Sequence, residues 1–277
     1  MYTNAKASGP QGIRVRTEDW PASARELGSL TELCSQPLPA MDGRPLTRWA
    51  CRCLVVLARR IGVTVHGLEH VAPDQDPFVL AVNHTQKLEA LLLPALLAFY
   101  RGGRQVHFLV DWNFLLIPGV ATLIRMNRPI VVTRKPARPA WLNALRPLFR
   151  APAPPFMLAR KHLETGRSVG LYPEGTANRC PDRLMRGLRG AAKLALDTGV
   201  PVVAAGIRFP SGRNTEFSPF QICFGAPLQP GTSADAGGDL AGWHERIMRQ
   251  IAVLSGKSWG PSNPRTKHET RHPSLAS

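Results

Sequence analysis

The sequence predicts an α/β fold, a single layered domain whose mostly parallel sheet is flanked by helices. Short apolar runs of strand length alternate with longer stretches of helical periodicity, the pattern of strand–helix–strand units. Two of these runs end in polar motifs: Asn83-His84-Thr85-Gln86-Lys87-Leu88-Glu89 follows Phe78–Val82, and Pro173-Glu174-Gly175-Thr176 follows Ser168–Tyr172. Ligands of open α/β sheets sit beyond the carboxyl ends of strands, so the two motifs read as one site. At 277 residues, 44% of them hydrophobic, the chain is long enough to bury the core such a domain needs.

Residues 1–44 are rich in Pro, Ser, Gly and charge and read as a poorly ordered N-terminal arm. Residues 45–230 form the main domain. Its first element is an amphipathic helix at Leu46–Ile61, with Leu46, Trp49, Ala50, Cys53, Leu54, Leu57 and Ile61 on one face. Arg48, Arg52 and Arg59 fall roughly opposite. Such a helix suits a membrane surface; it equally suits packing on the domain with its arginines in water. Strands are expected at Val63–His66, Phe78–Val82, Gln105–Val110, Ile130–Thr133, Ser168–Tyr172, Pro201–Arg208 and Phe220–Phe224. Helices are expected at Leu88–Phe99, Asn113–Arg125 (broken near Pro118-Gly119), Phe156–Thr165 and Met185–Thr198, with a Pro-rich loop at Arg150–Pro155. Residues 231–277 read as a C-terminal helix, Gly237–Leu254, and a disordered tail.

The net charge is +16 and unevenly spread: between Arg101 and Lys193 stand 17 Lys and Arg against Asp111, Glu164, Glu174 and Asp182. Arginine outnumbers lysine 28 to 7. Arginine binds phosphate in a bidentate fork, so phosphorylated ligands or an anionic membrane fit this surface. Nucleic acid is not expected, because the aromatics Trp112, Phe114, Trp141 and Phe149 are scattered and no nucleic-acid motif is present. Five cysteines at irregular spacing, without a signal-peptide pattern ahead of them, imply a reduced interior and no metal site. No run reaches the ~18–20 apolar residues needed to span a bilayer. The expected place is the cytoplasmic side of a membrane, held peripherally.

His84 is a candidate general base, since neutral imidazole takes a proton near neutral pH. A carboxylate on its other nitrogen would fix the tautomer and stabilise the imidazolium. Glu89, five residues on, lies ~140° away on a regular helix and would not share a face with His84. The two meet only if His84 sits on the turn ahead of the helix and Glu89 lies in its first turn. Asn83 and Thr85 suit such a turn. In the second motif Gly175 permits positive φ, Glu174 can accept hydrogen bonds from a hydroxylated substrate and Thr176 can donate; a plain turn with a capping glutamate would have the same sequence. Arg134 follows the strand Ile130–Thr133, while Arg179, Arg183, Arg186, Arg189 and Lys193 follow the Glu174 turn. The last three share a stripe if Met185–Thr198 is one helix, either solvated or phosphate-holding. No serine nucleophile elbow, P-loop or dinucleotide fingerprint is present.

In order, these segments resemble the phospholipid/glycerol acyltransferase family, in particular its 1-acyl-glycerol-3-phosphate acyltransferases. The resemblance covers roughly Val63 to Pro227. Asn83-His84 to Glu89 is similar to the family's histidine–four residues–aspartate block. Ile117-Pro118-Gly119 through Ile130-Val131-Val132-Thr133-Arg134 resembles a second block that ends in a phosphate-binding arginine. Tyr172-Pro173-Glu174-Gly175-Thr176 is similar to the third, and Gly190-Ala191-Ala192 with Val200-Pro201-Val202-Val203 to the fourth.

The resemblance implies acyl transfer from acyl-CoA or acyl carrier protein to the hydroxyl of a lysophospholipid, without metal or cofactor. His84 and Glu89 would be the catalytic pair. Asn83, Arg134, Glu174, Gly175, Thr176 and Arg179 would bind substrate. Six residues at four places depart from the family pattern. Glu89 stands for its aspartate, Ala177-Asn178 for its arginine-serine, Gly187-Leu188 for an aromatic-lysine pair and Ala204 for a proline. A family member that binds lipid or partners without catalysis, or one that acylates another head group, would be compatible with these changes.

Overall fold

The computed structural model describes residues 24–137, 139–210, 215, 217–230 and 239–265. In chain order the elements are β1 (Ala24–Glu26), α1 (Leu30–Ser35), α2 (Pro45–Ile61), β2 (Thr64–His66), β3 (Val79–Val82), α3 (Glu89–Tyr100), β4 (His107–Asp111), α4 (Val120–Met126), β5 (Ile130–Val132), α5 (Pro155–Glu164), β6 (Val169–Leu171), α6 (Gly190–Thr198), β7 (Val202–Arg208), β8 (Gln221–Phe224) and α7 (Leu240–Ser255). The eight strands form one sheet in the order β1-β2-β8-β7-β3-β6-β4-β5. All pairs are parallel except β1–β2 and β7–β8, so the expected mostly parallel sheet is present.

Side chains alternate across the sheet, as strand geometry requires. On β3, Leu80 and Val82 join the core beneath α2 and α3, whereas Val79 and Ala81 join the core beneath α5, α6 and α7. The three central strands therefore read as continuous apolar runs, buried on both faces. Gly62 ends α2 in a left-handed conformation at φ 84°, which a Cβ would penalise.

Several elements differ from the sequence expectation. Part of the expected arm is ordered: Ser29 caps α1 in a reciprocal capping box with Glu32, and Leu33, Leu38 and Met41 are buried. Residues 1–23 lie outside the described residues, as do 231–238 and 266–277. The stripe of α2 that packs inward is Ala50, Cys51, Val55, Ala58 and Ile61, which leaves Leu46 and Trp49 71% and 67% exposed. The helix expected from Met185 begins only at Gly190. Gly187 adopts a left-handed φ of 80°, and the segment before α6 pairs instead with the C-terminal stretch: Leu184 N–H donates to Ser258 O at 3.0 Å and Arg186 N–H to Pro264 O at 3.0 Å. Arg186, Arg189 and Lys193 therefore form no single helical stripe, and residues 256–265 are packed against the domain. Asn113–Arg125 divides into a 3₁₀ helix, Trp112–Leu116, and α4 at the expected Pro118-Gly119 break. A 3₁₀ helix at Ala140–Phe149 has no counterpart among the expected elements.

Candidate active site

Where β3 ends, Asn83 turns inward. Its Oδ1 accepts the Ile207 N–H at 2.6 Å and its Nδ2 donates to the Ile207 carbonyl at 3.0 Å, across to β7. With both ends of the amide engaged and the residue 1% exposed, Asn83 anchors the turn, and the hydrogen bonds it makes here face the sheet.

The turn of residues 83–88 places His84 ahead of α3, and Glu89 is the first residue of that helix. This satisfies the condition under which the two can meet. His84 Nδ1 lies 2.8 Å from Glu89 Oε1, and the Thr85 backbone N–H donates to the same oxygen. Glu89 is fully buried, while His84 keeps 8% exposure. The free N–H groups and dipole of the first turn of α3 favour a carboxylate there. With Nδ1–H donated to Glu89, Nε2 is the nitrogen left to accept a proton. The Tyr172 ring packs against the imidazole at 4.6 Å between centroids. Burial, then the charge of Glu89, pushes the Tyr172 hydroxyl above its ordinary range.

Glu174 follows β6 and is 5% exposed. Its Oε2 accepts the His84 backbone N–H at 3.1 Å; its Oε1 accepts Asn178 Nδ2 at 2.7 Å and the Met185 N–H at 2.8 Å. Buried donors of the chain itself engage both oxygens of this carboxylate, the group expected to receive a substrate hydroxyl. Burial raises its affinity for a proton, and the hydrogen bonds from Met185, His84 and Asn178 oppose that. Asn178, which sequence reasoning treated only as a departure, closes the arrangement. Its N–H donates to the His84 carbonyl at 2.6 Å, its Nδ2 also reaches the Arg183 carbonyl at 2.8 Å, and its Oδ1 accepts the Cys180 N–H at 3.0 Å. The signal that points to it is the residue type, since Asn after a turn readily satisfies local backbone N–H groups.

Gly175 takes φ 64°, and a Cβ there would meet Leu188 Cδ1 at 3.2 Å. Its carbonyl accepts Lys135 Nζ at 2.5 Å, a contact missed in the sequence that draws the segment after β5 onto the Glu174 turn. Arg134, next to Lys135, is exposed and makes no hydrogen bond or ion pair among the described residues. Thr176 is half-buried beside Gly175, and Arg179 is exposed. His84, Glu174 and Arg134 all stand beyond the carboxyl ends of their strands, on one edge of the sheet. Among the described residues no cluster of three His, Cys, Asp or Glu side chains is arranged to hold a metal ion.

The model of the acyltransferase family matches residues 62–208, more than half of the 277-residue chain. The chain belongs to the acyltransferase family. Residues 83–89, 134 and 173–176 all lie within the acyltransferase match. The chain is 27% identical over 155 residues to a 1-acyl-sn-glycerol-3-phosphate acyltransferase of Borreliella burgdorferi, covering 56% of this chain and 54% of the relative. It is 27% identical over 195 residues to a 1-acyl-sn-glycerol-3-phosphate acyltransferase of Chlamydomonas reinhardtii, covering 68% of this chain and 52% of the relative. The chain thus spans about half the length of the curated relatives it matches. Among solved structures, the 1-acyl-sn-glycerophosphate acyltransferase PlsC of Thermotoga maritima superposes with a TM-score of 0.51 at 21% identity, over 79% of this chain and 85% of that one. That likeness bears on the fold.

Proposed function

We propose that this acyltransferase moves an acyl chain from a thioester donor, acyl-CoA or acyl carrier protein, to the free hydroxyl of 1-acylglycerol-3-phosphate, giving phosphatidate. The carrying observation is the 2.8 Å contact between His84 Nδ1 and a fully buried Glu89. In this reading His84 Nε2 takes the proton of the acceptor hydroxyl as its oxygen attacks the thioester carbonyl. The C–S bond then breaks, the leaving thiolate recovers the proton, and the products are an ester and a free thiol. Base assistance of this kind contributes ~10²–10⁴-fold. Glu89 holds the imidazole in the tautomer that leaves Nε2 free. Glu174 and Asn178 hold the His84 backbone. Arg134, with Thr176 and Arg179, receives the acceptor phosphate; Lys135 brings Arg134 toward the turn. Neither metal nor cofactor enters this scheme.

The names of the two relatives support the choice of acceptor. The exposed Leu46, Trp49, Trp141 and Leu148 support a peripheral, membrane-facing placement, with arginines beside them to meet anionic head groups. The five free cysteines fit the reduced, cytoplasmic side. No described helix is long and apolar enough to cross a membrane. The deciding experiment offers a panel of lysophospholipids with acyl-CoA or acyl carrier protein and identifies products by mass. Formation of phosphatidate that disappears in His84→Ala, with the fold intact, is the expected result. Turnover of no acceptor by a folded protein would instead indicate a lipid-binding member without catalysis.

A further inference from the structure

A cleft of about 380 Å³ lies at the other edge of the sheet, where strands begin rather than end, and no catalytic group described above reaches it. That volume is at the small end of those that hold ligands. Its wall includes Arg44 at the start of α2, Arg104 and His107 at the start of β4, Arg128 before β5, Arg167 before β6 and Asp76 before β3. Asp76 is the one carboxylate among these, and it is already engaged. It receives Arg101 Nη2 at 2.6 Å and 2.7 Å on its two oxygens, Arg104 Nη2 at 2.9 Å, and the Ser168 hydroxyl. Arg44 donates to the Met126 carbonyl at 2.8 Å, but Arg44, Arg128 and Arg167 have no carboxylate partner among the described residues.

Three guanidinium groups without a carboxylate partner among the described residues, around one concavity, repel each other. Burial and then the charge of Arg128 lower the proton affinity of Arg44. His107 is lowered by burial, with Arg167 and Arg128 adding to it against its hydrogen bond to the Arg128 carbonyl. A second, independent feature marks the same place. Arg128 holds a left-handed backbone at φ 47°, uncommon for a residue with a Cβ, and His107 Nδ1 contacts its carbonyl at 3.0 Å. Strained backbone of this kind persists where surrounding contacts enforce it, and it concentrates at ligand sites.

We propose that this cleft is an anion site for a phosphate group, held by Arg44, Arg128 and Arg167. Phosphate accepts several charge-assisted hydrogen bonds and suits the planar guanidinium fork. The phosphate belongs either to a soluble phosphorylated compound or to a lipid head group; Leu46 and Trp49, two and five residues after Arg44, are exposed apolar side chains on the same helix. The site is distinct from the proposed acceptor position at Arg134 and does not rest on the catalytic reading.

The test compares full-length protein with Arg128→Asn/Arg167→Gln; Asn tolerates the left-handed backbone, so the fold is retained. Melting temperature is followed against inorganic phosphate, with sodium chloride at matched ionic strength as control, and flotation is followed with vesicles of phosphatidylcholine alone or with phosphatidate. Expected is a saturable upward shift with phosphate that His84→Ala and Arg134→Ala both still show, and whose half-saturation in the double variant rises about tenfold or more. Phosphatidate-dependent flotation that the double variant loses, without a shift from free phosphate, assigns the site to a head group. Equal responses from wild type and double variant in both assays, or a shift reproduced by chloride, overturn the proposal.

Discussion

Glu174 Oε2 accepts the backbone N–H of His84 at 3.1 Å, joining residues ninety positions apart. Through this bond the carboxylate at the end of β6 fixes the main chain that carries the base at the end of β3. The three hydrogen-bond partners of Glu174 among the described residues, the N–H groups of His84 and Met185 and the amide of Asn178, are donors. Glu174→Gln replaces one acceptor oxygen with an NH₂ that must face a donor. A buried polar group left unpaired costs ~1–3 kcal/mol, so melting temperature falls and kcat drops while KM for the acceptor changes little. A variant that raises KM and keeps kcat would show that Glu174 contacts substrate instead.

The buried contact between His84 and Glu89 carries the catalytic reading, and three variants probe it in graded fashion. His84→Ala removes the base and lowers turnover by ~10²–10⁴-fold without unfolding the protein. Glu89→Gln keeps the shape but loses the charge that stabilises the imidazolium, so most activity goes. Glu89→Asp preserves the charge one methylene shorter and keeps substantial activity. Circular dichroism and acyl-transfer rates, measured together, separate these effects from misfolding; full activity in folded His84→Ala would remove the base from the mechanism.

The dyad and the parallel sheet were legible in the sequence because their signals are local. Apolar runs announce buried strands, and His84 and Glu89 sit within one turn. The inward duties of Asn83, Glu174 and Asn178 were not legible. Their partners, Ile207 for Asn83 and His84 for Glu174, are 124 and 90 positions away, and a polar side chain at a strand end looks the same whether it faces substrate or backbone. The buried face of α2 differs from the expected one for a related reason. Periodicity identifies an apolar stripe but not its exact rotation toward α3, and small residues such as Ala50, Cys51 and Ala58 allow the closer approach. At Met185–Arg189 helical propensity lost to pairing with residues near the C-terminus, with Gly187 supplying the turn.

Arg134 is exposed beside Lys135, whose ammonium reaches the Gly175 carbonyl at 2.5 Å. Arg134→Ala should raise KM for a phosphate-bearing acceptor about tenfold and leave kcat nearly intact, because it removes binding that ground and transition states share. Arg134→Lys should recover part of the loss as a point charge. Equal KM values for Arg134→Ala and the unmodified protein would place the phosphate elsewhere.

The 3₁₀ helix Ala140–Phe149 buries none of its residues, and Trp141 and Leu148 are 72% and 79% exposed. Trp141→Ser/Leu148→Ser should weaken flotation with anionic vesicles by at least about tenfold, since even one apolar side chain of this size is worth ~1.5–3 kcal/mol when buried. Activity on a short-chain acceptor dissolved below its micellar concentration should be unchanged. Unaltered flotation of the double variant would move the membrane-facing surface to another part of the chain.

His162 stacks on His107 at 4.2 Å between centroids, and its proton affinity is pushed down to about 4 by burial, with His107, Arg167 and Lys161 adding to it. Its folded value lies below its unfolded value, so the unfolded chain binds the extra proton as pH falls through the intervening range. The stability contribution is complete above about pH 6.5, declines as pH falls toward about 4, and is constant below that. His66, His107 and His244 are lowered by burial and act in the same direction. Glu174, raised by burial, acts in the opposite direction within the carboxylate range. His162→Phe keeps an aromatic ring against His107 and removes one titration. Its melting temperature should therefore fall less steeply than that of the unmodified protein between about pH 7 and about pH 4.5. Parallel curves would mean that His162 titrates alike in the folded and unfolded chain.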